Sequence, residues 1–187
     1  MNTRNNVRFQ ETEKKIKENL LSLLSSKGKI DSISVTELCK KSEINRKTFY
    51  SHYQNPLDVL NAIKKDALFE VRGYMANING NAYEKTTYLI RYMKEKKNVF
   101  HVLLNTADQD FIDGLIGLSS PIYDVITSYS SQKNLFQYVK SYTLNGAKTI
   151  IMEWMDNDFK EEDKTIAKLI VSLTKEAIDL SFRFKEN

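Results

Sequence analysis

The chain has 187 residues, 41% of them hydrophobic, which is enough for one substantial core and a small second domain. Its net charge of +4 is uneven, because residues 1–65 carry 13 Lys and Arg against 7 Asp and Glu, while residues 66–187 carry 15 against 17. The single cysteine, Cys39, excludes an internal disulfide, and no apolar run reaches the roughly 18 residues of a membrane span. With no signal peptide in the N-terminal residues, these features predict a cytoplasmic protein.

The apolar residues repeat with a helical period, and only two prolines and six glycines interrupt them. This pattern predicts an all-α protein. After a polar arm over residues 1–7, a first helix is predicted over 8–27, ending at Gly28. Its apolar stripe consists of Phe9, Ile16, Leu20, Leu23 and Leu24. The excess of positive charge around this region suits either a phosphate-rich partner or an ordinary solvated face.

Residues 34–53 predict two short helices joined by a tight turn. Ser34 and Glu37 have the spacing of a capping box for the first helix. Asn45 is a strong cap for the second, in which Phe49 points back toward the first. Helical spacing then turns a cation, two hydroxyls and a phenol outward or to the flanks: Lys47, Thr48, Ser51 and Tyr50. Such a face suits a DNA groove lined by phosphates and base edges, so we interpret the second helix as a recognition helix.

The sequence TELCKKSEINRKTFYSHY resembles the helix-turn-helix of the TetR family of transcriptional regulators. Thr48-Phe49-Tyr50 followed by His52-Tyr53 matches the core of the family pattern residue for residue. The resemblance is specific over about residues 8–65 and weaker beyond them.

Two positions depart from the family pattern. Glu43 stands in the turn where the family usually has Gly, and Pro56 stands where it usually has Lys. The resemblance implies a three-helix, homeodomain-like DNA-binding domain over residues 1–55 and a larger helical effector-binding and dimerisation domain over residues 56–187. Together these make about nine helices, with no cofactor.

Within the motif we assign Arg46 and Lys47 to base edges, since guanine is the usual partner of such cations. The residues expected at phosphates or beside them are Thr36, Thr48, Tyr50, Ser51, His52 and Tyr53. Because one short helix reads only a few base pairs, we expect two of them, related by a twofold axis, on a palindromic operator in double-stranded DNA.

Asn55-Pro56 is predicted to open a fourth helix over about 56–78 that links the two domains. Its inward residues are expected to be Leu57, Leu60, Ile63, Ala67 and Leu68. Further helices are predicted near 82–97, 98–105 and 108–118, then one short helix among loops over 119–132, and long helices over 134–156 and 162–184.

The two last helices carry more apolar residues than one core can cover, since 134–156 is apolar around most of its circumference. We therefore predict a homodimer in which they form a four-helix bundle with the same pair of a second subunit; a monomer with a filled core is the alternative. The interface residues are predicted to be Val139, Tyr142, Gly146 and Ile150 from the first helix, and Leu169, Leu173, Ala177 and Leu180 from the second.

The resemblance also implies control of the larger domain by a small effector or by a protein partner. The candidate effector-binding residues are Tyr92, Phe100, His101, Phe111, Tyr123 and Trp154. Aromatic residues at helical spacing are more typical of a core than of a pocket, and His101 between apolar neighbours is more typical of a packed residue than of a ligand.

No motif indicates an enzyme or a metal site, since HExxH, CxxC, GxGxxG and P-loop patterns are absent. The acidic cluster over residues 156–163 lacks EF-hand spacing and suggests a solvated loop and helix start. The sequence therefore favours a homodimeric repressor that binds DNA. The alternative is a DNA-associated adaptor or activator of the same fold, similar to the nucleoid-occlusion protein, that responds to a protein partner.

Overall fold

A computed structural model describes residues 3–118 and 133–183, and every regular element within these ranges is helical. The all-α prediction is confirmed. A short 3-10 turn, Ile30–Ser32, lies between the first two of nine α-helices in the described ranges. The helices are α1 (Thr3–Lys27), α2 (Val35–Ser42), α3 (Arg46–Tyr50), α4 (Pro56–Met75), α5 (Ala82–Glu95), α6 (Lys97–Asn105), α7 (Gln109–Gly117), α8 (Lys133–Asp156) and α9 (Asp163–Arg183). The short helix predicted within 119–132 lies outside the described residues.

The chain divides into two units, Met1–Ala67 and Leu68–Asn187. The division falls inside α4, so this helix contributes residues to both units. Asn55 caps the start of α4, because its Oδ1 accepts the N–H of Asp58 at 2.9 Å. Pro56 follows at the first helical position. Proline has no backbone N–H, and at this position an N–H would have no acceptor within the helix.

The core of the N-terminal unit takes one apolar face from each of its helices. Ile16, Leu20 and Leu24 of α1 are buried, as are Leu38 of α2 and Phe49 of α3. From α4, Val59, Leu60 and Ile63 complete this core. Burial of these side chains, at about 1.5–3 kcal/mol each, supplies most of what holds the short helices α2 and α3 in place.

Three expectations about this unit are wrong. The polar arm is helical from Thr3, because residues 3–7 contain neither Pro nor Gly to interrupt a helix. Phe9 is not buried in the core but is 44% exposed and lies against His52. Leu57 was expected to face inward but is 49% exposed, because the buried face of α4 is centred on Val59, Leu60 and Ile63 and helical spacing leaves Leu57 at its edge.

In the second unit, α9 packs against both α5 and α8. The buried side chains include Leu89, Ile90, Met93, Phe100, Leu103, Leu104, Phe111, Leu115, Leu144, Trp154, Met155 and Ile166. No helix within residues 3–118 and 133–183 combines the length and apolar character that a bilayer span needs.

Three acidic residues of the turn between α8 and α9 pair with cations or a histidine from α5 and α6. The pairs are Asp163 with Arg91 at 2.7 Å, Asp158 with Lys97 at 2.8 Å, and Asp156 with His101 at 2.8 Å. The loop is solvated and Asp163 begins α9, as expected, and the ion pairs also tie the turn to neighbouring helices.

Candidate nucleic-acid interface

The start of α2 is capped by Ser34, but only one of the two hydrogen bonds of the predicted capping box is formed. Ser34 Oγ accepts the N–H of Glu37 at 3.1 Å. The Glu37 carboxylate accepts a hydrogen bond from Lys27 Nζ at 2.7 Å, so it ties α2 to the end of α1. The capping box with both reciprocal bonds occurs instead at the start of α5, between Asn81 and Glu84.

The turn between α2 and α3 keeps the left-handed geometry that a glycine would adopt, although Glu43 occupies it. Glu43 has φ 53° and ψ 40°. Its N–H donates to the Lys40 carbonyl at 3.2 Å, and the N–H of Ile44 donates to the Cys39 carbonyl at 3.1 Å. This pair of bonds is a Schellman motif, which closes α2 and turns the chain toward α3.

The side chain of Glu43 is fixed by α1. Lys15 Nζ lies 2.6 Å from Glu43 Oε2, and this hydrogen bond holds the pKa of Glu43 below its usual range. A residue that is strained in this backbone conformation thus gains a partner that a glycine would lack.

Within α3 itself, one cap and one buried side chain fix its start and its inward side. Asn45 Oδ1 accepts a hydrogen bond from the N–H of Thr48 at 2.8 Å, which gives a partner to one of the backbone N–H groups left unpaired in the first turn. Phe49 is completely buried, so the inward side of the helix is defined by its ring. Ser51 Oγ donates to the Thr48 carbonyl at 2.7 Å and closes the other end.

With Phe49 inward, α3 presents its polar side chains to solvent. Arg46, Lys47 and Ser51 are exposed, Tyr50 is 56% exposed, and Thr48 is half-buried. Lys40 and Lys41 add two exposed cations in the last turn of α2. Cations and hydroxyls gathered beside a buried anchor make a surface that attracts phosphate.

Arg46 is held against α2. Its Nη2 donates to Thr36 Oγ1 at 2.7 Å, and both residues are exposed. Sequence reasoning assigned Arg46 to a base and Thr36 to a phosphate, and the structure brings the two side chains into direct contact. The bond reduces the freedom of the long Arg46 side chain before any partner arrives.

His52 and Tyr53 lie half-buried at the end of the motif and contact α1. The His52 ring stacks on Phe9 with ring centres 3.8 Å apart, and its buried Nδ1 has no hydrogen-bond partner among the described residues. Burial lowers the pKa of His52, although the nearby Glu13 carboxylate opposes this. Tyr53 donates its hydroxyl to Glu13 Oε1 at 3.1 Å, and burial raises the pKa of Tyr53 to about 12.

The residues proposed around an effector are mainly core. Tyr92, Phe100, Phe111 and Trp154 are buried. Tyr92 donates its hydroxyl to Glu70 at 3.0 Å, and Trp154 donates its indole N–H to the Glu161 carbonyl at 2.9 Å. Tyr123 lies outside the described residues.

His101 is not a packed core residue, so that expectation is wrong. Its side chain is 36% exposed, and its Nε2 lies 2.8 Å from Asp156 Oδ1. The apolar neighbours Phe100 and Val102 are buried because helical geometry turns them away from His101. Within the ranges that the structure describes, no group of three or more His, Cys, Asp or Glu is placed to hold a metal ion.

The residues proposed for dimerisation fall into two classes. Tyr142 of α8 is 72% exposed, and Leu169, Leu173 and Leu180 of α9 are 45%, 50% and 50% exposed. The half-buried members are Val139, Gly146, Ile150 and Ala177. A Cβ added at Gly146 would meet no atom within 4 Å. Sequence reasoning missed Tyr138, which is 73% exposed one turn before Tyr142 and has the same spacing signal.

Comparison with known proteins identifies the family to which this chain is similar. A TetR-type family model described as "Transcriptional regulator C-terminal region" matches residues 80–176, slightly more than half of the chain. The chain is 21% identical over 178 residues to YxbF, an uncharacterized HTH-type transcriptional regulator of Bacillus subtilis (strain 168). That match covers 88% of this chain and 45% of YxbF, so the chain spans about half the length of the curated relative it matches.

Two solved structures share the fold. The TetR transcriptional regulator from Streptococcus agalactiae 2603V has a TM-score of 0.69 at 16% identity, covering 92% of this chain and 98% of that chain. The fatty acid degradation regulator FadR from Bacillus halodurans has a TM-score of 0.54 at 11% identity, covering 87% and 94%. With the family match over its C-terminal region and this all-helical fold, the chain belongs to the TetR family of transcriptional regulators.

Proposed function

We propose that the protein is a homodimeric repressor that binds a palindromic operator. The observation that carries this proposal is the geometry of α3. A helix capped by Asn45 and anchored by Phe49 exposes Arg46, Lys47 and Tyr50 together. TetR-type regulators bind DNA, and this is the face of the N-terminal unit whose chemistry suits a DNA groove.

The exposed side chains take different roles in this proposal. Arg46 and Lys47 read base edges, because their cationic donors match the acceptors of guanine in the major groove. Thr48, Tyr50 and Ser51 position the helix on phosphates through hydroxyl donors, which carry little sequence information. Thr36, which was expected at a phosphate, accepts from Arg46 and positions that side chain instead.

Dimerisation is supported by the apolar face of α8 and α9. Tyr138 and Tyr142 on α8, with Leu169, Leu173 and Leu180 on α9, expose large apolar side chains that lose their contact with water if a second subunit covers them. At about 25 cal/mol per Å² of apolar area, covering this face on two subunits is favourable. Two subunits also supply the two recognition helices that a palindrome requires.

Control by an effector, whether a small molecule or a protein, belongs to the same proposal. It requires only that the effector bind one conformation of the second unit more tightly than another. Tyr92, Phe100, Phe111 and Trp154 are packed side chains, so an effector that reaches them acts by changing the packing of this unit.

The experiment is selection of bound sequences from a pool of random duplexes, followed by footprinting and by sedimentation of the free protein. We expect a twofold-symmetric site whose half-sites lie about 34–36 Å apart or at a multiple of that spacing, and a dimer at micromolar concentration. A monomer, or equal affinity for operator and random duplex at moderate salt, contradicts the proposal. Genome-wide occupancy at dozens of dispersed sites would favour the DNA-associated adaptor over the repressor.

The roles within the motif are separated by two variants. Arg46→Ala is expected to change preference at one base pair by about 1–3 kcal/mol, whereas Tyr50→Phe weakens binding to every sequence alike. Affinities on a set of single-base operator variants measure both effects. Uniform losses for Arg46→Ala would contradict its assignment to a base.

A further inference from the structure

Four polar side chains of the N-terminal unit connect the end of the recognition motif to α4. Tyr53 donates its hydroxyl to Glu13 Oε1 at 3.1 Å. Lys17 Nζ, one turn further along α1, lies 2.5 Å from the same oxygen and 2.7 Å from Asp66 Oδ2 on α4. We call these four residues the Tyr53–Asp66 chain.

Glu13, Lys17 and Tyr53 each have the protonation state that their bonds in the Tyr53–Asp66 chain require. The hydrogen bond from Lys17 holds the pKa of Glu13 below its usual range, so Glu13 is a carboxylate that accepts from two donors. Burial disfavours a charged Lys17, but its bonds to Asp66 and Glu13 raise its pKa, so it remains an ammonium. Tyr53 remains a neutral donor, because burial raises its pKa to about 12.

The inner members of the Tyr53–Asp66 chain are shielded from water more than an ordinary surface pair. The Lys17 side chain is 19% exposed and that of Glu13 is 32% exposed, whereas the i,i+4 pair Lys14–Glu18 on the same helix is 77% and 64% exposed. Shielded pairs are less screened by salt and fix geometry better than exposed ones.

The recognition helix needs such support. α3 has five residues, so its own backbone hydrogen bonds span little more than one turn and do not fix its direction. Phe49 anchors its inward side, and the stack of Phe9 on His52 gives one tie between the end of the motif and α1. The Tyr53–Asp66 chain gives a second tie and extends it to α4.

We propose that Glu13 and Lys17 are positioning residues for operator recognition, acting through Tyr53 on one side and Asp66 on the other. This inference rests on the proposed function. It moves Tyr53 from a phosphate contact to a support behind the reading face. The side chains that read bases keep their productive geometry only while this support is intact.

Asp66→Asn tests the proposal because electrostatics and loss of positioning predict different changes in DNA affinity. The substitution removes a negative charge, so electrostatics alone predicts tighter binding to any DNA. Loss of positioning predicts instead that the ratio of operator affinity to random-duplex affinity falls about three- to tenfold. Glu18→Gln is the matched control, because it removes the same charge from the exposed Lys14–Glu18 pair and should leave the ratio unchanged.

A second set of variants distinguishes loss of positioning from misfolding. Lys17→Gln should lower the ratio and Lys17→Arg should restore it, while Lys14→Gln removes the same charge with no change in the ratio. Tyr53→Phe removes only a hydroxyl; it should lower the ratio, and its effect should be less than additive with that of Lys17→Gln. A phosphate contact from Tyr53 would instead lower both affinities equally.

The measurements are operator and random-duplex affinities of the full-length protein, with thermal unfolding to set a temperature at which every variant is folded. The inference is overturned if Asp66→Asn and Glu18→Gln have the same ratio as the unsubstituted protein. If the unsubstituted protein itself shows no operator preference, the proposed function fails first and the inference with it. A changed ratio only in variants that have lost folded structure also overturns it.

Discussion

The outward face of α3 and the exposed face of α8 and α9 leave opposite chemistry in contact with water. The first presents Arg46 and Lys47 around a single buried ring, whereas the second presents Tyr142, Leu169 and Leu173. Exposed cations are well solvated until an anion displaces water and counterions, but exposed apolar rings and leucines are unfavourable until another surface covers them. The two faces therefore suit different partners, and salt should weaken binding at the first while leaving association at the second nearly unchanged.

The largest predicted effect comes from placing a charge on the apolar face. In Leu173→Asp, each subunit would bury an unpaired carboxylate in the proposed interface, which costs several kcal/mol. We expect a monomer in sedimentation and a loss of operator affinity of at least about 100-fold, because one recognition helix binds without its partner.

Lys175→Asp is the control for this prediction. Lys175 is exposed and lies two residues, about 200°, around α9 from Leu173, so the new carboxylate lies away from the proposed interface. It should remain a dimer. Dimerisation of Leu173→Asp at the level of the unsubstituted protein would show that α9 is not the interface.

The next prediction separates reading from positioning at the DNA face. Thr36→Val removes the hydroxyl that accepts from Arg46, so we expect discrimination at the base pair read by Arg46 to fall about three- to tenfold. Thr36→Ser should retain it. In a double-mutant cycle with Arg46→Ala the two losses should not add, since Thr36 acts through Arg46. Additive losses on all sequences would assign Thr36 to a phosphate instead.

The helix-turn-helix could be predicted from sequence because its determinants are local. Ser34 and Asn45 cap helices through bonds to residues three positions on, and Phe49 follows from helical spacing. The i,i+4 spacing of Glu13 and Lys17 was also visible, but not the approach of Asp66, which is 49 residues from Lys17.

Other contacts found only in the structure also join residues that lie far apart in the sequence. Tyr53 is 40 residues from Glu13, and His101 is 55 residues from Asp156. No local pattern encodes such pairs, since they exist only once separate helices pack. Amphipathic spacing predicted which apolar residues of α9 lie on one side of the helix. The exposure of Leu169 and Leu173, however, depends on how α5 and α8 pack against α9.

A smaller effect is expected in the turn before α3. Glu43→Gly removes the strain of a left-handed backbone but loses the exposed pair with Lys15, and exposed pairs contribute little. We expect the midpoint of thermal unfolding to rise by about 2–4 °C. Glu43→Ala keeps the strain and loses the pair, so it should lower the midpoint. A lower midpoint for Glu43→Gly would mean that Lys15 stabilises the turn more than the strain destabilises it.

The smallest predicted effect is a pH dependence centred on His52. Burial lowers its pKa from the ordinary 6.5, so the unfolded chain binds a proton more readily than the folded one. The contribution of His52 to the free energy of unfolding is therefore present in full above pH 6.5. It is lost as the pH falls through 6.5 toward the lower pKa that His52 has in the folded protein.

His52→Phe keeps an aromatic ring against Phe9 and removes the titrating group. It also removes a buried Nδ1 that has no partner in the described part of the chain. Between about pH 7.5 and 5.5, the unfolding midpoint of His52→Phe should fall less than that of the unsubstituted protein, by a difference within about 2 °C. Identical pH profiles would show that the Glu13 carboxylate, which favours the protonated ring, offsets the effect of burial.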